Sequence, residues 1–190
     1  MAASADQIAG YSAARSRTIS AALELFSEKG VSGTSLQMIA DAVGVTKAAI
    51  YHQFPTKEAI VLAVADVEMA GIEQALDVTG AEDGSVEGRA ALLDFVIDLA
   101  VRRRSALSML QSDPVMIRLL AQHEPFNIVQ ERMFAVLLGD RSGVRSRVQA
   151  AVLSAAIGGS LVHPLVADVD AETLKEELLH VMRRLVALPD

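Results

Sequence analysis

Apolar side chains in this chain return every three or four residues, and nowhere do they alternate with polar ones for the length of a strand. That period confines the fold to helices packed on helices, because each helix must bury its apolar stripe against a neighbour. The core material agrees. Hydrophobic residues make up 52% of the 190, yet only 4% of the chain is aromatic and Trp is absent. What remains is Ala, Leu, Val, Ile and Met, which suit a helix better than a sheet. The expected fold class is all-α.

Local signals divide the pattern into elements. A first helix is expected from Ala13 to Lys29, with Ile19, Ala22, Leu23 and Phe26 on its buried face and Gly30 closing it. Thr34 then reads as the N-cap of a short helix, with Gln37 three residues on in the capping-box position, and Leu36, Ile39, Ala40 and Val43 form its stripe. Gly44 and Val45 make a tight turn, and Thr46 caps a third short helix that runs to Gln53 and is broken by Phe54-Pro55. Thr56 caps a long fourth helix to about Val78, followed by a loop over Thr79–Gly88. Further helices are expected at 89–105, 114–121, 125–138, 143–163 and 171–187. Pro114 and Pro125 stand in first turns, His163-Pro164 is a terminator and Asp170 is the last cap.

The segment Thr34–Phe54 is where the chemistry concentrates. Two short helices joined by a turn containing glycine have the layout of a helix-turn-helix, whose second helix enters the major groove of DNA. Ala40 is small where the helices cross, Gly44 permits the turn, and Val43, Val45 and Ile50 are apolar and lock the crossing. The outward face of the third helix carries Thr46, Lys47, Ala48, Ala49 and His52. Alanines can meet a thymine methyl, and Lys47 can reach a guanine edge or a phosphate. Tyr51, His52 and Lys57 are placed to hold phosphates, and the N-termini of the second and third helices offer free N–H groups.

The run Ala22-Leu23-Glu24-Leu25-Phe26-Ser27-Glu28-Lys29-Gly30, followed by Thr34-Ser35-Leu36-Gln37-Met38-Ile39-Ala40, resembles the N-terminal signature of the tetracycline-repressor (TetR-like) family. So does Ala42-Val43-Gly44-Val45-Thr46-Lys47-Ala48-Ala49-Ile50-Tyr51-His52-Gln53-Phe54-Pro55-Thr56-Lys57-Glu58. The resemblance covers roughly residues 14–64. It implies a three-helix DNA-binding domain over residues 1–57 and a helical effector-binding and dimerisation domain over 58–190. It also implies DNA contacts by Thr34, Ser35, Thr46, Lys47, Ala48, Tyr51, His52 and Lys57. The two positions after Lys47 are both Ala, which offer no hydrogen bonds to a base, so direct readout by them is thin. The role implied is transcription regulation, usually as a repressor released from a palindromic operator by a small-molecule effector.

Two stripes near the C-terminus read as a homodimer interface. Val148, Val152, Ala155 and Gly159 form one, and Leu174, Leu178, Val181 and Leu185 form the other, on a helix apolar over more than one face. By the resemblance, these helices pack on their symmetry mates as a four-helix bundle and set two reading heads about 34–36 Å apart. An effector pocket, largely apolar, is expected among the middle helices. Met69, Phe95, Leu99, Met109, Met116, Leu120, Phe126 and Met133 are its candidate lining, and His123, Asn127 and Gln130 its polar contacts. Any of these residues also reads as plain core. The long fourth helix, joined directly to the recognition helix, is the expected transmitter.

Other function classes find little support. Without Cys there are no disulfides or thiolate metal sites. His52, His123, His163 and His180 lack metal-ligand spacing, and no cofactor is expected. Gly158-Gly159-Ser160 stands inside an Ala-rich helix and is no phosphate loop, and no nucleophile elbow or carboxylate pair suggests an enzyme. Arg102-Arg103-Arg104 reads as a basic last turn that offsets the helix dipole. No signal peptide or membrane span is seen, so a cytoplasmic protein is expected. The net charge of −7 is awkward for a DNA binder, but it is uneven. Residues 1–57 hold five basic and four acidic groups, so the acidity lies in the rest. The alternatives are a helical interaction module or a small helical enzyme without DNA binding.

Overall fold

The computed structural model describes residues 10–80, 83–104, 114–139 and 143–189. Over them the chain is all-α: α1 (Ala13–Gly33), α2 (Leu36–Val43), α3 (Lys47–Gln53), α4 (Lys57–Thr79), α5 (Val86–Arg102), α6 (Pro114–Ala121), α7 (Glu124–Leu138), α8 (Val144–Val162) and α9 (Ala171–Leu185). A short 3-10 turn, Pro164–Val166, joins α8 to α9. None of the described helices is long and apolar enough to cross a membrane.

Most boundaries follow the local signals. Thr46 accepts from Ala49 N, Thr56 from Ala59 N, and Asp170 from Glu172 N and Thr173 N, each capping the helix expected of it. Two boundaries differ. The cap of α2 is Ser35, whose hydroxyl accepts from Met38 N, whereas Thr34 turns inward one residue earlier. The helix expected to begin at 89 begins at Val86, because Ser85 accepts from Gly88 N; Gly88 is therefore a buried residue of the first turn and not part of a loop. Gly30 breaks the helical path as expected, at φ 81 and ψ 160, although helical hydrogen bonding resumes for one turn beyond it.

The chain forms two compact units, Met1–Gly71 with Met109–Asn127, and Ile72–Ser108 with Ile128–Asp190. In the first, α1 packs on α2 and α2 on α3 around Ile19, Phe26, Ile39, Ala40, Ile50 and Phe54, all buried. In the second, α9 lies mainly along α5, and Leu92, Leu93, Ile97, Leu153, Leu161, Leu174, Leu178 and Met182 are buried.

Two arginines tie helix ends in the second unit. Arg89 donates to the carbonyls of Leu137 and Val186, at 2.7 and 2.8 Å, and so meets orphan acceptors at the ends of α7 and α9. Arg104 does the same for Leu161 at the end of α8 and for Val166 at the end of the 3-10 turn. Arg102 pairs with Asp98 one turn back, so the basic turn is partly a device for internal neutralisation.

The two C-terminal stripes divide differently from the expectation. Val148, Val152, Ala155 and Gly159 all face outward from α8, and Val181 and Leu185 are about half exposed on α9. Leu174 and Leu178 are instead only 3% and 6% exposed. They belong to the protomer's own core, which removes them from any interface. Helix α9 is apolar on two faces, and α5 takes the one that carries Leu174, Leu178 and Met182.

Candidate nucleic-acid interface

Helix α3 has seven residues, well short of the length at which a helix is stable alone, so its position depends on what it docks against. Ile50, fully buried, pins its inner face. The approach from α2 is fixed by Gly44, at φ 75 and ψ 36, a left-handed conformation that a side chain disfavours. Past it, Val45 N donates to Ala40 O at 3.0 Å, so the turn closes on the residue that is small and wholly buried at the crossing.

What α3 leaves outside is Lys47, Ala48, Tyr51 and His52, all exposed, with Ala49 half-buried. Lys47, Ala48 and Tyr51 fall together on one face by helical spacing, and the Lys47 ammonium lies 5.6 Å from the centre of the Tyr51 ring. Ser35 and Thr46 are exposed at the starts of α2 and α3, with their hydroxyls engaged as caps.

Thr34 and Lys57 are placed otherwise. Thr34 is 2% exposed, and its hydroxyl lies 2.7 Å from Gly30 O and 3.2 Å from Leu25 O. Its side chain is thus spent on the break at Gly30, which corrects its expected place on the DNA-facing surface. Lys57, half-buried, donates to Val31 O at 2.7 Å and Thr34 O at 3.1 Å. A third ammonium hydrogen remains for an outside acceptor.

A second set of contacts, not foreseen from the sequence, holds the far end of α3. Arg15 donates to Gln53 O at 3.2 Å and stacks its guanidinium 4.7 Å from the Phe54 ring and 5.5 Å from that of Tyr11. The buried Thr18 hydroxyl donates to Gln53 Oε1 at 3.1 Å. Tyr11 in turn donates to Asp66 Oδ2 at 3.4 Å, and the other oxygen of Asp66 meets His123 Nε2 at 2.6 Å. Burial pushes the Tyr11 phenol up, and the neighbouring Asp66 charge adds to this. Long-range polar contacts of this kind have no periodic signature.

The residues expected around an effector fall in both units. Met69, Leu120, His123, Phe126 and Asn127 belong to the first and are half-buried. His123 and Asn127 already have partners, in Asp66 and the Ala121 carbonyl. Phe95, Leu99 and Gln130, half-buried, and Met133, buried, belong to the second. Met109 lies outside the described residues, as does the side chain of Met116 on α6.

Residues 19–64 match the bacterial regulatory proteins, tetR family. The chain is similar to the HTH-type transcriptional repressor KstR2 of Rhodococcus jostii (strain RHA1), 39% identical over 57 residues, which are 30% of this chain and 28% of that protein. It is also similar to the HTH-type transcriptional regulator RutR of Escherichia coli (strain K12), 45% identical over 53 residues, which are 28% of this chain and 25% of RutR. The chain thus matches about a quarter of the length of these relatives. At the level of fold the likeness is broader. A transcriptional regulator from Aquifex aeolicus VF5 shares the fold with a TM-score of 0.68 at 16% identity, over 90% of this chain and 99% of that one. A regulator of the TetR/AcrR family from Thermobifida fusca YX-ER1 does so with a TM-score of 0.54 at 26% identity, over 88% and 95%. Residues 19–64 thus carry the segment that marks the TetR family of bacterial regulatory proteins, and the described helices are arranged as in these regulators.

Proposed function

We propose that this protein is a DNA-binding transcriptional regulator that works in the cytoplasm as a homodimer, a repressor released from a palindromic operator by a small-molecule effector. The observation that carries the reading is the exposed face of α3, where Lys47, Ala48, Tyr51 and His52 stand clear of a helix whose other side is anchored by Ile50. In this reading Lys47 reaches a guanine edge or a phosphate, and Ala48 lets the backbone approach a thymine methyl. Ser35, Thr46, Tyr51, His52 and the remaining hydrogen of Lys57 contact the phosphate backbone. Thr34 has no direct part.

The outward stripes Val148–Val152–Ala155–Gly159 and Val181–Leu185 support pairing of two copies, because apolar faces of this kind are covered in stable assemblies. The effector enters this reading through the family likeness, and the half-buried Met69, Leu120 and Phe126 of the first unit are apolar side chains that such a ligand would meet.

Selection from random duplexes followed by gel shift tests the reading. A twofold-symmetric site should emerge, with affinity falling steeply as salt rises. Lys47→Ala should weaken binding by about 1–3 kcal/mol if it reads a base. No enriched sequence, or an unchanged affinity for Lys47→Ala, overturns the docking.

A further inference from the structure

The contacts at the far end of α3 continue without a gap into the turn between α6 and α7. His123 lies in that turn, which is itself firmly tied. Its carbonyl accepts from Asn127 N at 3.1 Å, its N–H donates to Leu120 O at 3.0 Å, and the Asn127 amide donates to Ala121 O at 3.0 Å. His123 therefore moves with the end of α6 and the start of α7. From its ring the path runs to one oxygen of Asp66 on α4, from the other oxygen to the Tyr11 hydroxyl, and from the Tyr11 ring to the Arg15 guanidinium. Arg15 ends on the carbonyl of Gln53, the last residue of α3, and on the Phe54 ring.

From this we infer that Asp66 is a junction through which the α6–α7 turn positions the end of the recognition helix, with Tyr11 and Arg15 as the intermediate positioning residues. The inference rests on the reading of α3 as the DNA-facing helix. It adds a second route into that helix, through the start of α1, beside the direct covalent link to α4. Asp66 is suited to the role because its two oxygens serve two different elements, so pulling one partner away reorients the carboxylate that the other depends on. Helix α3 is suited to receive it because its seven residues cannot hold a fixed position unaided. The raised phenol of Tyr11 accords with a hydroxyl kept protonated as donor to Asp66.

The test uses the full-length protein and two readouts. One is amide exchange over residues 47–54 in the free protein; the other is affinity for a duplex selected by the wild type. His123→Ala and Tyr11→Phe should each speed exchange over 50–54 and weaken binding at least about fivefold. The pair together should do no more than the worse single change, because both cut one path. His123→Gln, which keeps an N–H for Asp66, should restore both readouts. Effects that multiply in the double variant, or exchange that stays at the wild-type rate in both singles, overturn the junction. Should His123→Ala lose its helical circular dichroism, Tyr11→Phe carries the test alone with the same two outcomes. A wild type that selects no duplex defeats the DNA reading, while exchange over 47–54 still decides the junction.

Discussion

Thr34 and Ser35 are neighbours of similar chemistry, yet one is interior and the other is a cap. The difference is set at Gly30: past its positive φ the chain turns, and the Thr34 hydroxyl reaches back to the carbonyls of Leu25 and Gly30. Replacing Thr34 with Val keeps the shape but removes a hydrogen bond made by a buried hydroxyl, at a cost of about 1 kcal/mol. Urea denaturation should show that loss, while operator affinity under native conditions stays near wild type. The reverse pattern, stability kept and affinity lost, would restore Thr34 to the DNA surface. From the sequence, a Thr-Ser pair before an apolar run marks a helix start to within one residue. The long-range acceptors that decide between the two are not local, and so they leave no trace there.

Elements were more legible than residues because their signals are local. Ser, Thr or Asp before a helical stripe, Gly44 between α2 and α3, and Pro55 after α3 each act within a turn of where they stand, and the structure uses all of them. The early start of α5 is local too: Ser85 caps the helix inside a stretch whose glycines, Gly80, Gly84 and Gly88, by themselves favour a loop. The cap of α9 offers a test by pH. The backbone N–H of Thr173, and then its hydroxyl, hold the Asp170 carboxyl below the usual carboxylate range. A lowered folded pKa means the cap's contribution is complete above the ordinary value near 4 and disappears as pH falls through the folded one. Asp170→Asn can still cap but does not titrate. Thermal melts between about pH 5 and 2 should therefore show a smaller acid loss in Asp170→Asn than in wild type. Equal losses would show that the ionised cap contributes nothing to this part of the acid response.

At the scale of the molecule, the sequence showed that α8 and α9 have more apolar surface than one face requires but not which part is spent inside the protomer. That depends on where α5 lies, and it is the packing of α9 on α5 that buries Leu174 and Leu178 and leaves Val181 and Leu185 outside. The two groups should respond oppositely to substitution. Leu178→Ala opens a cavity in the second unit and should destabilise the fold by about 2–5 kcal/mol. Val152→Glu places a charge on a side chain that is 53% exposed, where the isolated protomer tolerates it, but in a paired assembly it buries that charge against a second apolar stripe. Sedimentation should show Val152→Glu as a folded monomer with wild-type helicity and greatly reduced operator affinity, since one head alone spans half a site. Leu178→Ala should melt earlier and, below its transition, still sediment as a dimer. If Val152→Glu remains dimeric, the copies meet elsewhere. The outward stripes of α8 and α9 would then need another explanation, and the separation of the heads would have to be derived from a different face.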